Sequence, residues 1–320
     1  MGSEKSAPAA VAAFASAGEA NRRIAGVAAA ARAVRALAEA GANEVGLRIG
    51  DGAALAPATF EDIERLRGTT TVVVEPGEGP TISLPTSWEI VRATGKPGDG
   101  LVSRWLNRPI SQRITVLVLE IPGARPVHLT IVNALLALAL IPVLLLGGEA
   151  GLVLGGILFQ SASVLDGVDG EMARATFRAS PAGAALDSAV DAATNLLFIA
   201  GITAHLALRD GGAIGWIGGW ALVVAVVGWL LIARRVRAAG APFGLDLFKR
   251  SGRVRGAADL VYWIVQTLSG RDCYAFLFMV FIIAGVERAA LIIFTSVATL
   301  WIVYVLGSLL PVPRVFRGAA

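Results

Sequence analysis

Residues 166–191 read DGVDGEMARATFRASPAGAALDSAVD, and the rest of the chain is best interpreted outward from them. Asp166 and Asp169 are three residues apart and Asp187 and Asp191 four apart, so on helices each pair shares one face. The Ala179-Ser180-Pro181-Ala182-Gly183 connection is short, which makes the two helices antiparallel neighbours with the pairs facing each other. Long apolar runs flank both. At about 1.5 Å per helical residue, Asp187 and Asp191 lie roughly 9 and 15 Å inside a span that starts at Pro181. Ionisable groups at that depth are costly unless paired or metal-bound, so incidental surface charge is a poor explanation. Arg174, beyond Gly170 and Met172, adds a fixed positive charge suited to phosphate oxygens. Gly170, Ala173 and Gly183 keep the adjoining surface free of bulk, which admits a planar base or, equally, close helix packing.

The composition agrees with a membrane setting. Of 320 residues 55% are hydrophobic and 16% charged, and the mean hydropathy is +0.68, well above that of a soluble domain. Cys273 is the only cysteine, which rules out an intrachain disulfide and a cysteine metal cage. His128 and His205 are the only histidines, too few for a histidine-rich site. A metal in this chain is therefore held by carboxylates, which favour hard ions such as Mg²⁺, Mn²⁺ or Ca²⁺. The start of the chain lacks a Leu-rich segment behind a basic one, so no cleaved secretory signal is expected, and its Met-Gly-x-x-x-Ser opening is read as a coincidental match to a lipidation pattern.

Most of the charge and the Pro/Gly breaks fall before residue 126. After a flexible N-terminus over 1–21, residues 22–98 alternate helical and β-branched patterns. A helix is expected over about 24–41, a strand in NEVGLRI, a helix in FEDIERLR capped by Thr59 with Asp62 at its third position, and a strand in TTTVVV. This predicts a small cytosolic α/β domain. Over 99–126, Leu101, Trp105, Leu106, Ile110, Ile114, Leu117, Val118 and Ile121 form a stripe interrupted by a Pro109 break, with Arg104, Arg108 and Arg113 off it. That pattern predicts an amphipathic helix lying in the headgroup plane. Residues 127–312 then hold six transmembrane helices at about 129–147, 151–176, 181–208, 213–233, 271–286 and 289–310, the fifth short, before a cytosolic tail over 313–320. The segment 257–270 reads as interfacial or as an extension of the fifth helix. Arg174, Arg178, Arg234, Arg235, Arg237, Lys249, Arg250, Arg253, Arg255 and Arg271 crowd the loops on one side, with Arg314 and Arg317 after the last span. Both termini are thus expected on the cytoplasmic side. The fold class is an all-α polytopic membrane domain, six helices plus an interfacial one, with a small N-terminal α/β domain.

The residues spell D-x2-D-G-x2-A-R-x8-G-x3-D-x3-D as Asp166, Asp169, Gly170, Ala173, Arg174, Gly183, Asp187 and Asp191, which is similar to the signature of the CDP-alcohol phosphotransferases at every fixed position. The resemblance covers roughly residues 100–312. It implies that Asp166, Asp169 and Asp187 are metal ligands, that Asp191 also lies near two Mg²⁺ or Mn²⁺ ions and deprotonates the acceptor, that Gly170, Ala173 and Gly183 border the cytidine, and that Arg174 binds the diphosphate. One departure stands at 125–130, Arg-Pro-Val-His-Leu-Thr, where the family often carries Pro-Asn before the threonine. The stretch NRRIAGVAAAARAVRALAEAGANEVGL resembles sugar-nucleotide transferase domains without their G-x-G-T-R opening, an arrangement similar to a degenerate form of the domain in inositol-phosphate cytidylyltransferase/di-inositol-phosphate-phosphate synthase proteins.

The implied partners are a CDP-alcohol donor, an alcohol acceptor and membrane lipids, without nucleic acid. A homodimer is compatible with them, and a bacterial or archaeal cytoplasmic membrane is the expected location. Arg234, Arg235 and Arg271 are candidates to hold a phosphorylated acceptor such as inositol phosphate, although positive-inside topology explains the same residues. Two rival readings are an ion-coupled transporter that uses the intramembrane aspartates and a catalytically inactive scaffold. The transporter predicts two related halves, and no second acidic helix pair is recognisable.

Overall fold

Runs of Val and Ile in Glu44–Ile49 (β4) and Thr71–Pro76 (β5) form adjacent parallel strands, with Val45 opposite Val72 and Leu47 opposite Val74. The computed structural model describes residues 10–96, 98–239 and 256–309. The chain divides into two compact units. One takes residues up to Gly95 together with Gln112–Ala124 and Glu171–Arg178, and the other takes Lys96–Ser111, Arg125–Gly170 and the chain from Ala179 onward.

In the first unit the sheet order is β1-β4-β5, all parallel. β1 is Ala10–Phe14, a strand inside the stretch expected to be a flexible N-terminus. Its alanines carry no β-branched signal of their own and become a strand through pairing with β4, Ala12 opposite Leu47. A short helix, Ala17–Asn21 (α1), follows. The helix expected from residue 24 starts later, because Arg23–Ile24 (β2) and Val27–Ala28 (β3) close a hairpin whose turn residues Ala25 and Gly26 both have positive φ, 45° and 75°. Ala29–Glu39 (α2) then lays an almost continuous row of buried alanines on the sheet. Pro57–Leu66 (α3) is capped at Ala56 with Pro57 in the first turn, not by Thr59. Thr59 and Asp62 are instead buried, and Asp62 accepts from Ala28 N at 3.2 Å. The capping box of this unit belongs to Ser87–Ala93 (α4), where Thr86 and Glu89 bond reciprocally.

The expected Pro109 break is absent. A π-helical turn, Ser103–Asn107, runs directly into Arg108–Leu119 (α5). Proline has no N–H and its ring presses on the carbonyl four residues back, so the wider turn lets the helix pass Pro109 without a stop. Leu101, Trp105, Ile110, Leu117 and Ile121 of the expected stripe are exposed, Trp105 by 76%.

The second unit is a helical bundle. Among the described residues four helices are long and apolar enough to cross a membrane: Pro126–Leu146 (α6), Gly148–Ala175 (α7), Pro181–Asp210 (α8), and Gly212–Leu231 within Gly212–Ala239 (α9). The segment expected to be interfacial or part of the fifth span is a separate helix, Ala257–Leu268 (α10), ended at Ser269-Gly270. Arg271–Ile283 (α11) has 13 residues, or about 20 Å, short of a bilayer's roughly 30 Å core. Glu287–Leu309 (α12) completes the bundle. Four apolar spans are thus shown among the described residues, as part of the six expected. α6 packs on α8, α8 on α9 and α9 on α12. At the centre Phe159 and Phe198 stack with ring centroids 3.9 Å apart, and Phe278 meets Phe198 edge-on. Gly201 lets α6 close on α8, since a Cβ there would lie 2.6 Å from Leu144 Cδ1.

Candidate active site

Ser180 fixes where α8 begins: its Oγ accepts from Gly183 N at 3.1 Å and Pro181 follows at the first helical position. From that start Asp187 and Asp191 fall one turn apart on the same face. α7 brings Asp166 to meet them. One carboxylate oxygen from each of Asp166, Asp187 and Asp191 lies within 4.8 Å of the others. Asp169, one turn beyond Asp166, is 4% exposed and accepts a hydrogen bond from Thr130 Oγ1 of α6 at 2.8 Å.

Arg271, the first residue of α11, also reaches the cluster. Its Nη1 pairs with Asp191 and lies 3.3 Å from Asp166 Oδ1. Asp272 anchors the same helix end by accepting from Ser103 N of the π turn at 2.7 Å. Of the residues proposed to hold an acceptor, Arg271 is the one that the structure puts on the aspartates. Arg234 is exposed on α9, and the side chain of Arg235 lies outside the described residues. Arg237, Lys249, Arg250, Arg253, Arg255, Arg314 and Arg317 lie there too.

The cluster is incomplete as a set of protein groups. One guanidinium pairs with two of the three carboxylates, Asp166 and Asp191, while buried Asp187 Oδ1 accepts no hydrogen bond and buried Asp166 Oδ1 has only the 3.3 Å ion pair. Nε and Nη2 of Arg271 are buried and donate none. Unsatisfied buried acceptors beside unsatisfied buried donors are expensive, each of the order of 1–3 kcal/mol. The oxygen-only donor set and the surplus negative charge fit a divalent hard cation, and the free guanidinium edge fits an anionic oxygen.

Gly183 is exposed in the first turn of α8 and Gly170 is half-buried on α7. Ala173 and Arg174 lie in the last turn of α7, where Arg174 Nε donates to Thr94 O at 3.0 Å. Sequence reasoning missed two polar groups. Asn195 carries a buried Oδ1 without a hydrogen bond, and its position four residues after Asp191, which is four after Asp187, was the available signal. The other is Thr130, the threonine of the 125–130 departure, whose bond to Asp169 has no local signal. His128 likewise turns out to close the start of α6, its Nδ1 accepting from Arg125 N at 3.3 Å.

The profile of the CDP-alcohol phosphatidyltransferase family matches residues 124–310, more than half of the chain. The chain belongs to that family. Its similar relatives include three proteins named bifunctional IPC transferase and DIPP synthase. That of Thermococcus kodakarensis is 31% identical over 203 residues, 63% of this chain and 42% of that protein. The Aquifex aeolicus protein is 40% identical over 111 residues, 34% of this chain and 24% of its own length. The Rubrobacter xylanophilus protein is 42% identical over 134 residues, 42% of this chain and 30% of its own. The matches thus span less than half the length of these relatives.

Proposed function

We propose that the protein is a divalent-metal-dependent transferase that moves a substituted phosphate group from a CDP-alcohol to an acceptor alcohol and releases CMP, with an inositol phosphate as acceptor. The observation that carries this reading is the meeting of Asp166, Asp187 and Asp191, with unsatisfied oxygens, beside the unsatisfied donors of Arg271. The names of the relatives support the inositol phosphate.

In this reading Asp166, Asp169, Asp187 and Asp191 hold two Mg²⁺ or Mn²⁺ ions. Bound there, a divalent ion supplies positive charge against the diphosphate oxygens. Asp191 accepts the proton of the acceptor hydroxyl. The acceptor oxygen then bonds to the phosphorus that carries the donor's alcohol, the bond from that phosphorus to the bridging oxygen breaks, and CMP leaves. Arg174 binds the diphosphate, and Gly170, Ala173 and Gly183 leave room for the cytidine. Arg271 presents Nε and Nη2 to a phosphate oxygen of the acceptor, with Arg234 and Arg235 further candidates on α9. The α/β domain that includes β1 and was expected to end at residue 98 is cytosolic and 99–126 is an interfacial helix, both termini face the cytoplasm by the distribution of loop arginines, and the molecule works in the membrane as a monomer or homodimer.

The test is to supply the purified protein with Mg²⁺ or Mn²⁺, a panel of CDP-linked donors and candidate alcohols, and to measure CMP and identify the product. CMP release that depends on an inositol phosphate is expected. Ion flux in proteoliposomes without CMP release would replace the reading with a transporter.

A further inference from the structure

A helix leaves its last carbonyls without partners inside the helix. At the end of α7 two arginines of the α/β elements take them. Arg32 of α2 donates from Nη2 to Ala175 O at 2.7 Å, and Arg65 of α3 donates from Nη1 to Thr176 O at 2.9 Å. All of these residues belong to the first unit. Each guanidinium is fixed from behind. Arg32 also donates to Ile24 O at 2.7 Å and Ala25 O at 3.0 Å, both in the β2–β3 hairpin. Arg65 pairs with Asp62 at 2.9 Å, whose other oxygen accepts from Ala28 N and Arg23.

The helix end itself has an unusual form. Arg178 N donates to Ala173 O at 2.8 Å and Phe177 N to Arg174 O at 3.2 Å, the paired bonds of a Schellman motif. The left-handed position of that motif usually holds glycine, but here it is Phe177, with φ 55°. Its ring lies beneath the guanidinium carbons of Arg32 and Arg35, 5.4 and 5.7 Å from the centroid. Gly26, in the hairpin turn, allows the contact to close: a Cβ there would stand 3.2 Å from Thr176 Cγ2. Thr115 Oγ1 donates to Glu171 Oε2 at 2.7 Å, both buried, one turn before the motif.

Arg32 is only 7% exposed, and burial pushes its pKa down to about 10. A buried cation at that cost is a poor way to gain stability alone. Its partners are the carbonyls at the end of the helix that carries Asp166 and Asp169, and the two acceptors inside the Schellman motif are Ala173 and Arg174.

We propose that Arg32 and Arg65 are positioning residues, through which the N-terminal α/β unit clamps the last turn of α7 and holds Ala173 and Arg174 in place for the CDP-alcohol donor. The donor role of Arg174 rests on the transfer reaction above; the clamp rests on the hydrogen bonds alone.

Three variants of the full chain test it: Arg65→Ala, Arg65→Lys and Phe177→Gly. Arg65 is 30% exposed at its side chain, so the fold should survive its loss, and Phe177→Gly removes the ring while relieving the left-handed strain. Hydrogen exchange of the amides of residues 171–178 should accelerate in Arg65→Ala and Phe177→Gly and recover partly in Arg65→Lys, with exchange in α8 unchanged. The KM for the CDP-alcohol should rise about tenfold, with the acceptor KM and Mn²⁺ affinity unchanged. Unchanged exchange at 171–178 would overturn the clamp. Loss of donor and acceptor affinity together, in step with a lower melting temperature, would reduce it to a structural contact. Absence of CMP release from the wild type would overturn the reaction and the donor role while leaving the exchange result to decide the clamp.

Discussion

Two charged clusters sit toward opposite ends of α8 and treat charge in an apolar bundle differently. Near the start, Asp187 and Asp191 meet Asp166 with Arg271 as the basic partner given by the geometry, and buried oxygens and guanidinium nitrogens are left without hydrogen bonds. At the other end Arg209 bonds Glu149 at 2.9 Å, Asp210 at 2.8 Å and also Glu287, and Arg288 bonds Asp210 at 2.7 Å. That second network ties the starts of α7 and α12 to the end of α8 with three carboxylates against two arginines. Its charges are spent on one another. The first cluster keeps donors and acceptors in reserve, which is how a binding site differs from a structural ion network.

The comparison can be broken in graded ways. The largest effect is expected on removing divalent ions: chelation should abolish CMP release, and adding back Mg²⁺ or Mn²⁺ should restore it. Asp191→Asn should lower turnover by about 10²–10⁴-fold while some donor and Mn²⁺ binding is retained; near-normal CMP release from that variant would remove its role as base. Asp187→Asn should weaken Mn²⁺ binding about tenfold or more, yet in metal-free buffer its melting temperature should equal or exceed that of the wild type, because one of three crowded carboxylates loses its charge. A metal-free melting temperature several degrees lower would mark the cluster as structural instead. The smallest effect is expected at the other end, where Arg209→Ala should cost about 1–2 kcal/mol of stability in a thermal melt and leave kcat unchanged. A large loss of turnover there would erase the distinction between the two clusters.

How much of this was legible beforehand varies by element, for physical reasons. The spacing of Asp166, Asp169, Asp187 and Asp191 is a local property of helices, so which of them share a face follows from periodicity, while the meeting of Asp166 with Asp187 and Asp191 depends on how the two helices pack. The α/β character of residues 44–76 was visible in its β-branched runs. β1 was not, since alanines acquire strand geometry only from the neighbour they pair with. Thr59 has the right chemistry for a cap, but Pro57 two residues earlier starts the helix and leaves Thr59 inside it. Phe177 gives no local signal for a left-handed helix end, because what holds it there comes from Arg32 and Arg35, more than 140 residues away in the chain.

By itself the sequence determined that the chain is largely apolar, that a carboxylate set lies within its helices, and that Arg174, Gly170 and Gly183 stand at fixed intervals around it, because composition and helical period are written residue by residue. Only the tertiary structure decided that Arg271, 80 residues beyond Asp191, is the guanidinium on those carboxylates, and that the end of the acidic helix is capped by arginines of the N-terminal domain. Such pairings depend on which elements pack together, and that is settled by burial over the whole chain instead of by any local pattern.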